Sequence, residues 1–257
     1  TLTYSNWQSI KNIKNIKLSP YKNYLLQYRS IKNDEEIQYI KKSAKFVDNA
    51  FNYILLYLKP NISERDIALE LEYYIKSNKE AELDLSFPII SLSGINTVLP
   101  HGKPTGNKIK YGDIVLIDFG IKYKYYNTDI TRMVVIGKTN TDYEKVFKTL
   151  YQTIQYISEH IKVDVQCKKI DLLAREFLDK LGFGKYFNHG LGHGVGLDIH
   201  EYPHINKNSE DVFKINSVFT IEPGIYIPQR FGIRLEDTYY LSPIGLKSIT
   251  TQTRELF

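Results

Sequence analysis

The chain has 257 residues and a net charge of +5, with hydrophobic, aromatic and charged fractions of 42%, 13% and 25%. These ordinary fractions exclude disordered and fibrous architectures, and the length allows one large domain or two small ones. No apolar run approaches the roughly 20 residues that cross a bilayer, and Thr1–Ile10 lacks the layout of a signal peptide, so we expect no membrane partner. The lysines are scattered among acids, which argues against nucleic-acid binding. The single cysteine, Cys167, excludes an intrachain disulfide and favours a reducing, cytoplasmic location.

The first half of the chain predicts two helices followed by strands. Residues 1–30 show no clear helical or strand repeat. From Asp34, apolar residues recur at three- and four-residue steps, which predicts a long helix that ends before Pro60. A capping arrangement at Ser63 predicts a second helix to about residue 75. Apolar runs then predict strands at Phe87–Leu92, Ile114–Phe119 and Met133–Ile136.

The second half repeats this order. Thr141 and Glu144 form a capping-box signature for a helix to about Ile161. A further helix is expected over about Lys169–Leu181, closed by Gly182. Apolar runs then predict strands at Val218–Ile221, Ile225–Ile227 and Thr238–Leu241.

The repeated order indicates an internal duplication within one fused domain. An offset of 104 residues places Asp118 on Glu222, each inside a similar acid-x-Gly segment. Both acids interrupt apolar, strand-like runs. Because burying an unpaired carboxylate is costly, each must be paired, hydrogen-bonded, protonated or metal-bound. Two acids at equivalent positions favour a shared site between the halves.

Two further acids are candidate partners for this site. Asp129 follows Asp118 by 11 residues and Glu236 follows Glu222 by 14, spacings that suit hairpins whose two strands each present one acid on the same face. Arginines lie close to both acids in sequence, so ion pairing with Arg132 and Arg234 is an alternative.

The histidines are concentrated in one glycine-rich region. Four of the six lie between His189 and His204, and the glycines among them allow close approach of backbone or substrate. His160, late in a predicted helix, is interpreted as a surface or packing residue. Four carboxylates and one imidazole form an oxygen-rich ligand set that suits Mn²⁺, with Co²⁺, Zn²⁺ and Fe²⁺ as alternatives. Because four acids repel one another, two ions about 3.5–4 Å apart with a bridging hydroxide fit better than one.

The motifs together resemble the pita-bread metallopeptidases, within them the Xaa-Pro aminopeptidase and Xaa-Pro dipeptidase branch. The resemblance runs from about Ser30 to the C-terminus. It is carried by Pro100–Gly102, Asp118–Gly120, Asp129–Arg132, His189–Gly196, His200–Pro203, Ile221–Gly224 and Gly232–Asp237.

This resemblance implies a fold and a ligand set. The implied fold is the α+β pita-bread (creatinase/aminopeptidase) fold, in which two pseudo-symmetric helix-helix-strand halves surround a central metal site. The resemblance places the ligands of two divalent metal ions on Asp118, Asp129, His193, Glu222 and Glu236. Mn²⁺ is the metal that we expect at both positions.

The resemblance also implies roles around the metals. Glu222 is the expected proton shuttle, and His101, His189 and His200 are expected to act in the substrate site. Arg234 and Tyr226 are expected to lie next to the metal ligands without binding the metals, where Arg234 would orient a ligand carboxylate and balance its charge. His204 lies outside the motif and is interpreted as a surface or packing residue.

The implied reaction is hydrolysis of an N-terminal Xaa-Pro bond by attack of a metal-bridging hydroxide. The partners would be peptides with proline at the second position, and a homodimer is compatible with the family. We expect residues 1–30 to be the tail end of an otherwise absent N-terminal domain, and residues 31–257 to be the catalytic domain. The alternatives are methionine aminopeptidase activity on the same fold and a non-catalytic binding protein of this fold. Creatinase-like hydrolysis of a small amidine is disfavoured, because that branch does not keep the metal ligands.

Overall fold

The computed structural model describes residues 3–18, 24–252 and 254–256, and its elements alternate between helical and strand-rich stretches. The helices are α1 (Tyr4–Lys11), α2 (Tyr24–Ser30), α3 (Asp34–Tyr57), α4 (Glu64–Lys76), α5 (Thr141–Ser158) and α6 (Cys167–Lys180). The strands of the first half are β1 (Leu83–Leu85), β2 (Ile90–Ser93), β3 (Ile114–Phe119), β4 (Ile121–Tyr123), β5 (Tyr126–Asn127) and β6 (Ile130–Val135). Those of the second half are β7 (Gly192–Gly194), β8 (Glu201–Ile205), β9 (Val218–Ile221), β10 (Gly224–Ile227), β11 (Phe231–Arg234), β12 (Asp237–Ser242) and β13 (Gly245–Ser248).

In the first half, α3 and α4 pack beside a sheet of order β2-β3-β6. Both predicted helices are confirmed, and both begin with a capping box: Asn33 with Glu36 for α3, and Ser63 with Asp66 for α4. Their apolar stripes are buried against β3, whose residues are all buried. The hydrophobic period of 3.6 therefore reports the face that packs on the sheet.

In the second half, α5 and α6 pack beside a sheet of order β13-β12-β9-β7-β8. Both predicted helices are present, but the predicted cap of α5 was wrong by one residue. Asn140 is the N-cap, and its side-chain oxygen accepts from the backbone N–H groups of Asp142 and Tyr143. Asn140 has extended backbone angles, whereas Thr141 already lies in the helix. Asparagine caps at least as well as threonine, so the earlier residue takes the role.

The two halves meet where their sheets adjoin. An antiparallel bridge joins Thr131 to Glu236, and the Asp129 backbone N–H donates to Thr238 Oγ1 over 3.1 Å. This seam lies beside the residues singled out in the sequence. The α+β fold of two similar halves around a central site is thus confirmed.

The connections between the acids differ from the simple hairpins that we predicted. β3 does pair with β6, and β9 with β12, but β4 and β5 intervene in the first case and the β10–β11 hairpin in the second. Asp118 lies in register with Thr131, two residues from Asp129. Because side chains alternate along a strand, this two-residue shift keeps the two acids on one face.

Helices also occur in residues 1–30, where the sequence showed no clear repeat. α1 is capped by the Thr3 side chain, and none of its residues is buried, so it has no apolar stripe to display a period. α2 lies against β8. Across the parts of the chain that the structure describes, no helix is both long and apolar enough to cross a bilayer.

Candidate metal centre

Five strands deliver the predicted ligands to one cavity. Asp118 lies in β3, Asp129 directly precedes β6, His193 is the middle residue of β7, Glu222 directly follows β9, and Glu236 directly precedes β12. The cavity measures about 120 Å³. It is lined by Phe87, Ile90, His101, Asp118, Asp129, His193, His200, Glu222, Arg234 and Glu236.

His193 is oriented so that one ring nitrogen faces the acids. Its Nδ1 lies 3.1 Å from the carbonyl oxygen of Gly194, so this nitrogen carries the proton. Its Nε2 lies 3.6 Å from Asp129 Oδ2 and 3.6 Å from Glu222 Oε1. Burial, followed by the nearby His200, lowers the pKa of His193 to about 3. The imidazole is therefore neutral at pH 7 and presents a free lone pair, the form in which histidine binds metal.

The glycines beside His193 are required by the packing of β7. A Cβ on Gly192 would lie 2.1 Å from the carbonyl oxygen of Thr220, and one on Gly194 would lie 2.0 Å from that of Tyr202. Side chains at these positions would push β7 away from its neighbours. The glycine-rich segment is thus a strand wedged between backbones, not a flexible turn.

Burial raises the pKa values of all four acids, and repulsion from neighbouring acids raises those of Asp129, Glu222 and Glu236 further. Burial, followed by repulsion from neighbouring acids, holds the pKa values of Asp129 and Glu236 well above their usual range. Burial also raises the pKa of Asp118, and it raises that of Glu222 to about 7. Without added positive charge, this cluster cannot be fully ionised at pH 7.

The donor set fits divalent cations. Asp118 Oδ1 and Asp129 Oδ1 are buried and have no hydrogen-bond partner, which is costly for a carboxylate unless a cation is bound. Ligand atoms of Asp129, His193 and Glu236 lie within 4.8 Å of one another. Oxygen-rich sets with one imidazole suit hard or borderline divalent ions. The ligand roles of the individual residues remain predictions.

Arg234 contacts Asp118 directly and Glu236 through Thr131. Its guanidinium donates to Asp118 Oδ2, to the Tyr226 hydroxyl over 2.8 Å and to Thr131 Oγ1 over 3.0 Å. Thr131 Oγ1 in turn donates to Glu236 Oε2 over 2.6 Å. Arg234 is 2% exposed, so its charge is weakly screened and interacts strongly with this network.

The two nearby arginines therefore have different partners. Arg234 pairs with Asp118, and its Nε lies 4.0 Å from Glu236 Oε2, whereas Arg132 pairs over 2.6 Å with Asp237. The alternative reading of Asp129 as the ion-pair partner of Arg132 loses its support. Arg132 also donates to the backbone oxygen of Glu236 over 2.6 Å, so it fixes the backbone beside a candidate ligand.

The histidines occupy three distinct environments. His101 and His200 line the cavity, and the His200 ring lies edge-on to His193 with centroids 4.2 Å apart. His189 joins the cluster through Tyr226, because its Nε2 lies 3.0 Å from the Tyr226 hydroxyl. His204 is half-buried and lies opposite His193 in the β7–β8 pair, nearer to the site than its position outside the motif suggests.

Some residues around the cavity were missed by the sequence reasoning. Phe87 and Ile90 supply its apolar wall, and Thr131 links Arg234 to Glu236. Thr131 had a usable signal, since it lies two residues after Asp129 and shares its face of the strand. Phe87 and Ile90 had no such signal, because an apolar residue near a strand end gives the same sequence pattern whether it lines a cavity or packs in the core.

Comparisons with known proteins agree with this geometry. The model of the family described as metallopeptidase family M24 matches residues 38–243. The Xaa-Pro dipeptidase of Pyrococcus furiosus is 38% identical over 257 residues, which cover 100% of this chain and 73% of that protein. The structure is similar to those of an Xaa-Pro dipeptidase from Bacillus anthracis (TM-score 0.95, 35% identity) and an X-Pro aminopeptidase from Thermotoga maritima (TM-score 0.92, 34% identity), with 100% of this chain and 72% of each covered. The chain therefore belongs to metallopeptidase family M24.

Proposed function

We propose that this chain hydrolyses the peptide bond between an N-terminal residue and a following proline. The observation that carries the proposal is the convergence of three buried acids, the partly buried Glu222 and one neutral histidine on a single cavity, with two acid oxygens left unpartnered. The relatives named above as Xaa-Pro dipeptidase and X-Pro aminopeptidase supply the substrate class.

Two divalent ions would be held by Asp118, Asp129, His193, Glu222 and Glu236. Mn²⁺ is the first expectation, with Co²⁺, Zn²⁺ and Fe²⁺ as alternatives. Such ions supply a water-derived nucleophile at neutral pH and polarise the scissile carbonyl. Their positive charge would also offset the repulsion that keeps these acids partly protonated.

Glu222 is suited to carry a proton. Its side chain is 16% exposed, against 9% or less for Asp118, Asp129 and Glu236. In the metal-free chain, burial raises its pKa to about 7, so this carboxyl can hold a proton near neutral pH. The nitrogen of an Xaa-Pro bond carries no hydrogen, so its departure as an amine requires this proton delivery.

The remaining lining residues would bind and orient the peptide. His101 and His200 offer ring nitrogens to the substrate carbonyl, and Phe87 with Ile90 provides an apolar wall for the proline ring. Arg234 would hold Asp118 in place through its donated hydrogen bond. The role of His189 remains a prediction, since it reaches the site through Tyr226.

The two alternative functions are not favoured. The named relatives act, by name, on Xaa-Pro bonds, not on N-terminal methionine. A non-catalytic binding protein would not need a complete set of five candidate ligands, and here all five line one cavity.

The test is a cleavage panel with metal analysis. The purified chain is stripped with chelator, reloaded separately with Mn²⁺, Co²⁺, Zn²⁺ or Fe²⁺, and offered Ala-Pro, Ala-Pro-Ala, Ala-Ala and Met-Ala-Ser. We expect release of alanine from the two proline peptides and about two metal ions per chain. Cleavage of Met-Ala-Ser in preference to the proline peptides would favour the methionine aminopeptidase alternative, and cleavage of none would contradict the proposal.

A further inference from the structure

A single buried carboxylate accepts hydrogen bonds from both ends of the segment that carries His101. Glu64 is the first residue of α4 and is 0% exposed. We call residues 93–107 the His101 loop. The hydrogen bonds that Glu64 accepts come from the Ser93 backbone N–H (2.8 Å) and hydroxyl (3.1 Å), the Asn96 amide (2.9 Å), the Thr105 backbone N–H (3.0 Å) and hydroxyl (2.7 Å), and the Asn107 amide (3.4 Å).

These six donors are all neutral, and they use up the acceptor capacity of one carboxylate. Burial alone would raise the pKa of Glu64, but the hydrogen bonds from Thr105, Asn96 and Ser93 outweigh burial and lower it. The position at the N-terminus of α4 also favours negative charge. Glu64 is therefore an ionised group whose contacts serve to close the His101 loop at its two ends.

Between those ends, the His101 loop docks on the other half of the molecule. The Gly232 backbone N–H in β11 donates to Thr97 Oγ1 over 2.8 Å, and Arg234 Nη1 donates to the Pro100 backbone oxygen over 3.1 Å. A Cβ on Gly232 would lie 2.2 Å from the Thr97 backbone oxygen, so loop and strand are in direct contact. His101 follows Pro100 directly and lines the cavity.

We propose that Glu64 is a positioning residue that holds the His101 loop against β11, so that His101 stays in the cavity for peptide binding. The role in peptide binding rests on the proposed function, whereas the role in holding the loop does not. Glu64 acts through the loop alone, since its hydrogen bonds end on loop residues and not on the candidate ligands.

The variant Glu64→Gln tests the inference. Glutamine has one acceptor oxygen and turns an N–H₂ group toward donors, so several of the six bonds are lost. Glu72→Gln is the matched control, because Glu72 lies on the same helix with its side chain 39% exposed and pairs with the exposed Lys76. We expect kcat/KM for Ala-Pro to fall about 10–100-fold in Glu64→Gln, with the bound metal unchanged, and to stay at the wild-type value in Glu72→Gln.

Hydrogen exchange separates positioning from simple stability. In the metal-loaded chain without peptide, the Gly232 amide reports docking directly, because its partner is Thr97 Oγ1. We expect this amide to exchange at least about 10-fold faster in Glu64→Gln while amides in β3 keep their wild-type rates, as local opening predicts. Thr105→Val removes one donor hydroxyl and should show a smaller acceleration of Gly232 exchange. This variant tests the inference if Glu64→Gln does not fold.

The outcomes are distinguishable. If the wild-type chain cleaves no proline peptide, the proposed function fails, and the Gly232 exchange rate still decides whether Glu64 holds the loop. Unchanged Gly232 exchange in both variants overturns the inference. Faster exchange with unchanged kcat/KM overturns the role in peptide binding, and equal acceleration in β3 reduces Glu64 to a general stabiliser of the fold.

Discussion

Glu222 stands apart from the other acids because it is both a candidate ligand and the most exposed of the four. Glu222→Gln keeps the shape of the side chain but removes the titrating group. We expect kcat to fall about 100-fold or more, the range that general acid–base groups contribute. Steady-state kinetics with metal analysis would measure this, and Glu176→Gln, on the exposed face of α6, is the control. A variant with full metal and full kcat would rule out proton transfer by Glu222.

Arg234 acts through the shape of its guanidinium as well as its charge. Its Nε, Nη1 and Nη2 atoms each donate to a different acceptor, an arrangement that lysine cannot copy. We expect Arg234→Lys to lower kcat/KM about 10–100-fold, as for other residues that orient metal ligands. Arg230→Lys is the matched control, because Arg230 is exposed and pairs with the exposed Asp142. Full activity and metal content in both Arg234→Lys and Arg234→Ala would contradict this account.

The sequence predicted much at this scale but not the pairing of charges. Strand alternation placed Arg234 on the face of Glu236, and acids in apolar runs marked Asp118 and Glu222. The partner of Arg132 could not be predicted, because Asp237 lies more than a hundred residues away and is brought there only by the seam between the sheets. For the same reason, the contact of His204 with β7 was not expected.

Among the elements, the segment before α3 is tied to the site by a buried ion pair. Lys32 Nζ donates to Glu201 Oε1 over 2.5 Å, and both side chains are 3% exposed or less. Glu201 directly follows His200, and its other oxygen accepts from the Asp198 backbone N–H over 3.3 Å. The pair therefore fixes the turn that joins His193 to His200.

Removing one partner of this pair should cost more than removing both. Lys32→Met leaves Glu201 buried with only Arg29 as a cation, so we expect the free energy of unfolding to fall by about 3 kcal/mol, the low end for breaking a buried pair. The double variant Lys32→Met/Glu201→Gln should recover most of this loss. Urea denaturation would measure both, with Lys76→Met, which breaks an exposed pair, as the control. Additive losses in the double variant would show that the two groups do not interact.

The elements themselves were predicted unevenly, for a physical reason. Helices α3 to α6 bury one face over many turns, so their apolar period survives in the sequence. The short strands β7, β8 and β11 were missed, because β7 is mostly glycine and its residues are dictated by backbone contacts with distant strands. The division of the chain at residue 30 remains a prediction.

At the scale of the molecule, the candidate site exists only when the halves are joined. The first half supplies Asp118 and Asp129, and the second supplies His193, Glu222 and Glu236. Four acids at a seam oppose closure of that seam unless protons or cations offset their charge. Protonation, metal binding and stability are therefore linked in this chain.

The linkage has a definite sign. Because burial raises the pKa of Asp129, Glu222 and Glu236 above the ordinary values near about 4, the folded metal-free chain holds protons that the unfolded chain has released. The unfolded state then binds fewer protons than the folded state, so the free energy of unfolding falls as pH rises through the folded pKa of Glu222, about 7. The lowered pKa of His193 works in the opposite direction, but only below about pH 6.5, where an unfolded histidine is charged.

Metal ions should therefore stabilise the chain more at about pH 8 than at about pH 7, since they take the place of fewer protons there. We expect the Tm of the chelator-treated chain to fall between these pH values, and the rise in Tm on adding saturating Mn²⁺ to grow. Thermal unfolding with and without Mn²⁺ at each pH measures both quantities. In Glu222→Gln, which lacks the group with a pKa of about 7, the pH dependence of the metal-free Tm should shrink. A metal-free Tm that stays level over this range would mean that the acids are already ionised without metal, and that their charges are offset by groups other than bound cations.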